Sequence, residues 1–422
     1  MLFIGIQDYP MPAAKWLDAA TSVSWLKAFE KLAANGHMCH AILQEHHVSY
    51  HMSAPIRGVY YHFFNKEIIE NEDVFSIIHN LKPDVLMYNC CGYNKVPKLL
   101  SRMQSILPAC RHILRTHHEV KRVMPLELAV RICMLADGII VSTQHDIDYI
   151  QSLGITSPTL SLCPFGVDIA YFGETTALSR DIDVSASCSL NPVKNGPLLA
   201  KVFEIMKQQG KNVVNILGQS PEVYRNTLQR SKVYFAPTLS EASGSRSLLE
   251  AITAGAYPVC SAECESTMDL IKLYNGTFVS TEKDTIETIC NILEDCLENK
   301  RISWKQPTQD NMEIHSDDSE ITTLINILSI HDEYKSQTPV HSIINTLCTR
   351  LGYQSDDMYE KITKTIEFCR DRSKKAFISE IISKEWEKLG LPLKYQWGFL
   401  DKIGNSSFNL LKELEWVIKD IP

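Results

Sequence analysis

The sequence predicts a doubly wound α/β fold in two Rossmann-like domains that face a cleft, and three observations carry that prediction. Strand-length apolar runs alternate with amphipathic segments from Leu2 to Cys163. The stretch Val233 to Val259 (VYFAPTLSEASGSRSLLEAITAGAYPV) runs from a short apolar segment through a glycine- and serine-rich turn into an acid-bearing helix, the layout of a ligand loop at the carboxyl end of a buried strand. A chain of 422 residues with 45% hydrophobic content has enough apolar side chains for two cores.

The first domain opens on a strand at Leu2 to Ile6, followed by a helix over Val23 to Ala34 that Gly36 and His37 terminate. Further strands are expected around Ala41 to Leu43 and at Gly58 to Tyr61, Asp84 to Tyr88, His112 to Thr116, Gly138 to Ser142 and Thr159 to Cys163. Helices such as Val74 to Leu81 and Leu126 to Leu135 supply the crossovers that parallel strands require. The second domain begins near Asp181 with DIDVSASCSL as a strand, then NPVKNG and a helix from Pro197 to Lys207. Another strand follows at Val213 to Leu217. In the Val233 stretch, Pro237 stops the strand and a helix begins at Ser247. A helix start reached through Gly244 and Ser245 presents free N–H groups and a positive dipole end, which suits a phosphate. Glu241 and Glu250 are carboxylates placed to accept hydrogen bonds from sugar hydroxyls.

These residues resemble the donor-site signature of the GT-B glycosyltransferases of glycosyltransferase family 4, in which Glu-x7-Glu precedes Ala-x-x-x-Gly-x-Pro-Val. LLEAITAGAYPV matches its tail, while the two glutamates stand one residue further apart than in the family. LAANGH, LKPDVLMYN, ADGIIVSTQHDIDYI and LCPFGVDIAYF resemble family segments in the correct order, so the likeness spans about residues 1 to 330. It implies a retaining transferase that moves a hexosyl or pentosyl group from a nucleotide sugar to a hydroxyl acceptor, with the leaving phosphate taking the acceptor's proton. Residue by residue it implies that Glu250 binds the ribose, Glu241 the sugar, and Lys194 the diphosphate. The family's arginine position holds Ser189, and Arg246 is placed to restore that charge beside the amides of Gly244 to Ser247. RTHHE resembles the family's His-acid pair, with His118 as the better match for a sugar contact and His117 the fallback. One strand–helix unit stands where the family commonly has two, which leaves the Gly218 turn to serve the nucleobase. The family's glycine pair after the first strand is absent, with Ala19 and Ala20 in its place.

The expected organisation is an acceptor domain over 1–172, an abbreviated nucleotide-sugar domain over 173–331 and a helical C-terminal extension over 332–422. A formal charge of −8 argues against a generally basic nucleic-acid-binding protein. The cations from Lys95 to Arg122, among them Lys98, Arg102, Arg111, Arg115 and Lys121, are one local exception. They favour an anionic acceptor such as a lipid phosphate, a membrane surface or a nucleic acid. Thirteen cysteines without paired Cys-x-x-Cys spacing read as buried free thiols in a reducing compartment. Neither a signal peptide nor an apolar run of roughly 20 residues is present, so a cytoplasmic protein, peripheral to a membrane at most, is expected. No Asp-x-Asp type pair stands near the site, so neither metal nor cofactor is expected. Two other readings compete. One is a GT-B scaffold or binding subunit that has lost catalysis, on Ser189, the longer glutamate spacing and the missing glycines; the other is a nucleic-acid-modifying glycosyltransferase, on the basic stretch.

Overall fold

The computed structural model describes residues 1–7, 20–44, 50–52, 55–64, 71–89, 96–107, 109–117, 120–123, 129, 132, 135–152, 159–173, 179–189, 192–239, 246–330 and 364. The C-terminal extension expected over 332–422 lies, apart from residue 364, outside the described residues.

The first sheet contains β1 (Leu2–Gln7), β2 (Met38–Gln44), β3 (Tyr50–Met52), β4 (Val59–Phe64), β5 (Val85–Asn89), β6 (Arg111–Arg115), β7 (Gly138–Val141) and β8 (Thr159–Leu162). Their order is β3-β4-β2-β1-β5-β6-β7-β8, parallel throughout except for the short antiparallel edge strand β3. The order reverses at β1, which pairs with β2 on one side and β5 on the other. Helix α1 (Ala20–Ala34) places Trp25, Phe29 and Leu32 along one stripe, where they bury against Phe3, Ala41, Leu43 and Met87. Helix α2 (Glu72–Leu81) starts where Asn71 Oδ1 accepts from the Asp73 amide at 3.0 Å, with Glu72 and Asp73 favourably placed in its first turn. Helices α3 (Val96–Ile106) and α4 (Gln144–Ser152) follow β5 and β7.

The face of this sheet turned away from α1 holds buried histidines. His40 Nδ1 lies 2.8 Å from His62 Nε2, and the Tyr88 hydroxyl lies 2.8 Å from His112 Nδ1. Burial lowers the pKa of both His62 and His112 to about 4, with His40 adding to the effect at His62. The unfolded chain therefore binds protons that the native chain refuses between pH 6.5 and about 4, and native stability falls as pH drops through that window. Each of the two histidines contributes a slope of about 1.4 kcal/mol per pH unit there. Glu250, whose pKa is raised to about 7, contributes in the opposite sense. We expect the denaturant midpoint to decline from pH 6.5 to 4.5, and a His112→Gln variant to show a shallower decline; a midpoint that is flat over this range would contradict the assignment of neutral buried histidines.

The second sheet is wholly parallel: β9 (Ile182–Ala186), β10 (Val213–Asn215), β11 (Ser231–Ala236), β12 (Tyr257–Ser261) and β13 (Thr277–Val279), in the order β10-β9-β11-β12-β13. One strand–helix unit, β10 with a single helix, separates the first helix of this domain from β11. Helices α5 (Gly196–Gln208), α6 (Pro221–Arg230), α7 (Arg246–Thr253), α8 (Glu265–Tyr274) and α9 (Ile286–Asp295) cover it. Leu199, Val202 and Phe203 of α5 and Ile289 and Leu293 of α9 pack on the face that carries Val184, Val233 and Val259. Leu228 of α6, Leu248 and Ile252 of α7 and Leu270 of α8 pack on the other, against Tyr234 and Cys260. Both domains and their doubly wound order match the fold class that the strand–helix alternation predicts.

The chain crosses between domains twice at one place. Val167 forms a parallel bridge with Ser316, and the Asp317 amide donates to the Val167 carbonyl at 3.0 Å. Gly166 makes this crossing possible, since a Cβ there would lie 2.4 Å from the Ser316 carbonyl oxygen and 2.7 Å from Asp317 Cα. Helix α10 (Asp317–Leu328), capped by Ser316 Oγ on the Ser319 amide, then returns to the first domain, where Ile321, Leu324 and Leu328 enter the α1 core. The span 173–331 thus contributes its last helix to the first domain's packing.

Candidate donor site between the domains

In the second domain β9 has β10 on one side and β11 on the other, so the strand order reverses there. At such a switch point the loops leaving the carboxyl ends of two neighbouring strands part and leave a crevice. The loop after β9 carries Lys194, and the loop after β11 leads into α7 with Ser247 and Glu250. The two loops are tied together by the Leu239 amide, which donates to the Val193 carbonyl at 2.9 Å. Cys188 and Asn215 exchange hydrogen bonds of 3.1 and 2.9 Å, and Cys188 Sγ donates to the Lys194 carbonyl at 2.8 Å, fixing the turn that presents the lysine. Burial lowers the Lys194 pKa to about 8, against the opposing influence of the Cys188 and Cys264 thiols.

Glu250 stands one turn into α7. Its Oε2 accepts a 2.7 Å hydrogen bond from the Tyr224 hydroxyl of α6, and burial raises its pKa to about 7 although Tyr224 and Arg246 favour the ionised form. A second phenol, Tyr234 of β11, accepts from the Ser187 amide at 3.2 Å and hydrogen-bonds the Ser247 side chain. Gly218 closes the turn after β10 with φ +76°, a conformation that favours glycine, and a Cβ there would meet no atom within 4 Å. Its constraint is conformational and the space beside it is open. Leu217 next to it and Val223 on α6 are both about half exposed, at 52% and 47%. Together they give that edge an apolar surface.

Arg246 does not stand clear for a diphosphate. Its guanidinium lies 3.1 Å from Glu320 Oε2, 3.4 Å from Asp317 Oδ1 and 3.2 Å from Ser24 Oγ, and it sits over the Phe165 ring at 5.3 Å. Glu320, fully buried on α10, also receives Arg115 of β6, the Ser24 hydroxyl at 2.7 Å and the Gly166 amide at 2.7 Å. These attractions hold its carboxyl below the usual range despite its burial. One carboxylate therefore joins α1, β6, the interdomain crossing and the first residue of the signature helix. Neither the Tyr224–Glu250 contact nor the Glu320–Arg246 contact is legible in the sequence, because in each the partner is distant in the chain.

On the first-domain side, Gln7, Asn89 and Arg115 stand in register at the carboxyl ends of β1, β5 and β6. The Trp25 indole N–H can only donate, which makes Gln7 Oε1 the acceptor at 3.0 Å. Asn89 Nδ2 then donates to the same oxygen at 2.9 Å, and Asn89 Oδ1 accepts from His117 Nε2 at 2.9 Å. The order of donors thus fixes the Nε2–H tautomer for neutral His117, which stacks on Phe165 with centroids 5.6 Å apart. Beyond the signature helix the domains also meet through Lys121 and Glu265 at 3.8 Å and His145 and Asp269 at 2.8 Å.

Among the residues proposed from sequence, Lys194, Gly218, Ser247 and Glu250 follow the carboxyl ends of β9, β10 and β11 in the second sheet, and His117 stacks on Phe165. His118, Glu241, Gly244 and Ser245 lie outside the described residues. Of the basic stretch, Arg102 pairs with Glu72 and lies over Phe75, Arg111 donates to the Ile327 and Ile330 carbonyls at the end of α10, Arg115 binds Glu320 and Lys121 faces Glu265. These four cations are already engaged within the protein. Among the described residues there is no cluster of three or more His, Cys, Asp or Glu side chains placed to hold a metal, and no helix long and apolar enough to cross a membrane.

Comparison with solved structures identifies the fold as GT-B. The chain superposes on the sucrose-phosphate synthase of Thermosynechococcus elongatus with a TM-score of 0.60 at 11% identity, covering 78% of this chain and 98% of the other. Anabaena HepE, solved in complex with UDP-glucose, gives a TM-score of 0.57 at 11% identity over 78% of this chain and 99% of that one. The lipopolysaccharide outer core galactosyltransferase WaaB gives 0.50 at 12% identity, covering 77% and 98%. No protein-family model and no curated protein sequence matches the chain.

Proposed function

We propose that the protein is a retaining glycosyltransferase that transfers a sugar from a nucleotide-sugar donor to a hydroxyl acceptor. The observation that supports this most is the strand order that reverses at β9, with Lys194 in the turn after β9 and Glu250 on α7, which follows β11; this is the kind of switch point at which open α/β sheets bind ligands, and it would give a cation for a diphosphate and a carboxylate for a ribose. The acceptor oxygen forms the new bond to the anomeric carbon as the bond from that carbon to the diphosphate breaks, and the leaving phosphate oxygen takes the acceptor's proton. Lys194, the α7 N-terminus and the amides of Gly244 to Ser247 stabilise the charge that develops on the diphosphate. Glu241 holds the sugar hydroxyls, and His118, or His117 in its place, approaches the sugar from the first domain. The half-exposed Leu217 and Val223 beside Gly218 offer the nucleobase an apolar edge. The sugar is a hexosyl or pentosyl group, and the site is cytoplasmic.

Thermal-shift and mass-spectrometric screening of nucleotide sugars tests the reading: a nucleotide sugar that stabilises the fold and is consumed in transfer or hydrolysis supports it. A second reading has one specific observation behind it. Ser189 stands in the family's arginine position, and Arg246 is held by Glu320 and Asp317 instead of standing clear for a diphosphate. A scaffold that binds nucleotide without turning it over would show the thermal shift and no chemistry.

Because the charge on the leaving group is carried by Lys194 and backbone amides, turnover should survive chelation. We expect at least half of the activity to remain in excess EDTA. Complete loss that a divalent ion restores would show that the leaving group depends on a metal.

A further inference from the structure

We propose that Tyr224 is a positioning residue of the donor site, whose hydroxyl fixes one oxygen of Glu250 so that the other remains directed at the nucleotide's ribose hydroxyls. The inference rests on the donor reading of Glu250. Tyr224 reaches Glu250 Oε2 at 2.7 Å, and no described donor reaches Oε1. A carboxylate held by one oxygen can offer the other without the entropy of an untethered side chain.

The tyrosine is itself well fixed. Ser220 caps α6 through the Val223 amide, and Pro221 occupies its first turn. The Tyr224 ring meets Phe172 edge-on at 6.3 Å, and its hydroxyl has the Ser187 side chain as a second partner. Ser187 also donates its amide to Tyr234, which bonds Ser247 on the same helix as Glu250. The two phenols therefore connect Ser187, just past β9, to Ser247 and Glu250 of α7.

The contact also bears on ionisation. The titratable and charged groups that face Glu250 are Tyr224 from α6, Tyr234 from β11, Arg246 from its own helix and Asp317 from α10. Burial raises the Glu250 pKa to about 7, and the Tyr224 hydrogen bond is the foremost influence holding it down. Ribose hydroxyls donate to the ionised carboxylate, so nucleotide affinity should fall as pH drops through about 7. Without the hydroxyl that decline should begin at higher pH.

The test compares the full-length wild type with Tyr224→Phe and Glu250→Gln. Tyr224→Phe retains the ring that packs on Phe172, so a purely structural tyrosine predicts no change in the pH profile. Calorimetric titration with UDP between pH 5.5 and 8 should show the acid decline near 7 in the wild type, moved up by about one unit in Tyr224→Phe and absent in Glu250→Gln. At pH 6.5 the tyrosine variant should bind UDP about tenfold more weakly. The Glu250 carboxyl, assigned by its absence in Glu250→Gln, is titrated in parallel by difference infrared spectroscopy on nucleotide-free protein. An unchanged Glu250 titration in Tyr224→Phe overturns the proposal. If the carboxyl moves and the wild type binds UDP, GDP and ADP at no pH, the donor reading fails, and the positioning role fails with it, while the Tyr224–Glu250 contact is verified.

Discussion

Lys194→Ala is expected to lower turnover by roughly 10² or more in a protein that remains folded, the range seen when one stabiliser of developing transition-state charge is removed. The leaving diphosphate gains charge as its bond to the sugar breaks, and the energetic value of a cation there rises as water is excluded. On the proposed reading Lys194 is that cation: its turn is pinned by Cys188 and Asn215, and burial lowers its pKa to about 8. The same shift gives the prediction a signature in pH. A diphosphate binds the charged lysine, so donor affinity should fall as pH rises through about 8 in the wild type, and this alkaline decline should be missing in Lys194→Ala. Turnover within threefold of wild type, or an alkaline decline that survives the substitution, would remove Lys194 from the diphosphate site.

The strands from β1 to β11 other than β3 were legible because a parallel strand buried on both faces leaves a short apolar run bounded by turn residues, as in VYFA before Pro237 or VLMYN after Lys-Pro-Asp, whereas β12 and β13 were not read from the sequence. The short edge strand β3 was not legible, since a three-residue strand that pairs on one side leaves no periodicity to read. Lys194 and Glu250 could be proposed from the sequence because each occupies a fixed place in a local motif. The Tyr224–Glu250 hydrogen bond was not legible for the converse reason: α6 reads as a polar amphipathic helix, and only the packing of α6 beside α7 brings the hydroxyl to Glu250. Arg246 was seen as a positive charge in the signature turn, but its partner Glu320 lies 74 residues further on, on a helix that belongs by packing to the other domain. Charge pairing over such separations depends on the double crossing at Gly166 and Ser316, which no local pattern announces.

That pairing carries the largest stability effect expected in the molecule. Glu320 has no exposed side-chain surface, Arg115 is 1% exposed and Arg246 12%, so the carboxylate is the counter-charge of two largely desolvated guanidinium groups. Breaking a buried pair by removing one partner typically costs about 3 to 5 kcal/mol, because the surviving charge is left uncompensated. Glu320→Gln keeps the volume, deletes the charge and leaves one acceptor oxygen, so that either Ser24, which donates to Oε1, or the Gly166 amide, which donates to Oε2, keeps its bond. We expect it to lower unfolding stability by about 3 kcal/mol or more in denaturant titrations, with the first domain and its α10 cover affected together. Arg115→Met in the Glu320→Gln background should recover part of that loss, since the second substitution removes one of the stranded cations and fills its space with apolar atoms. Arg246 keeps Asp317 in both variants, so recovery should be incomplete. A Glu320→Gln protein within 1 kcal/mol of wild type would mean that water or local rearrangement compensates the two arginines, and the four-way junction at Glu320 would then have no claim to hold the signature helix against the first domain.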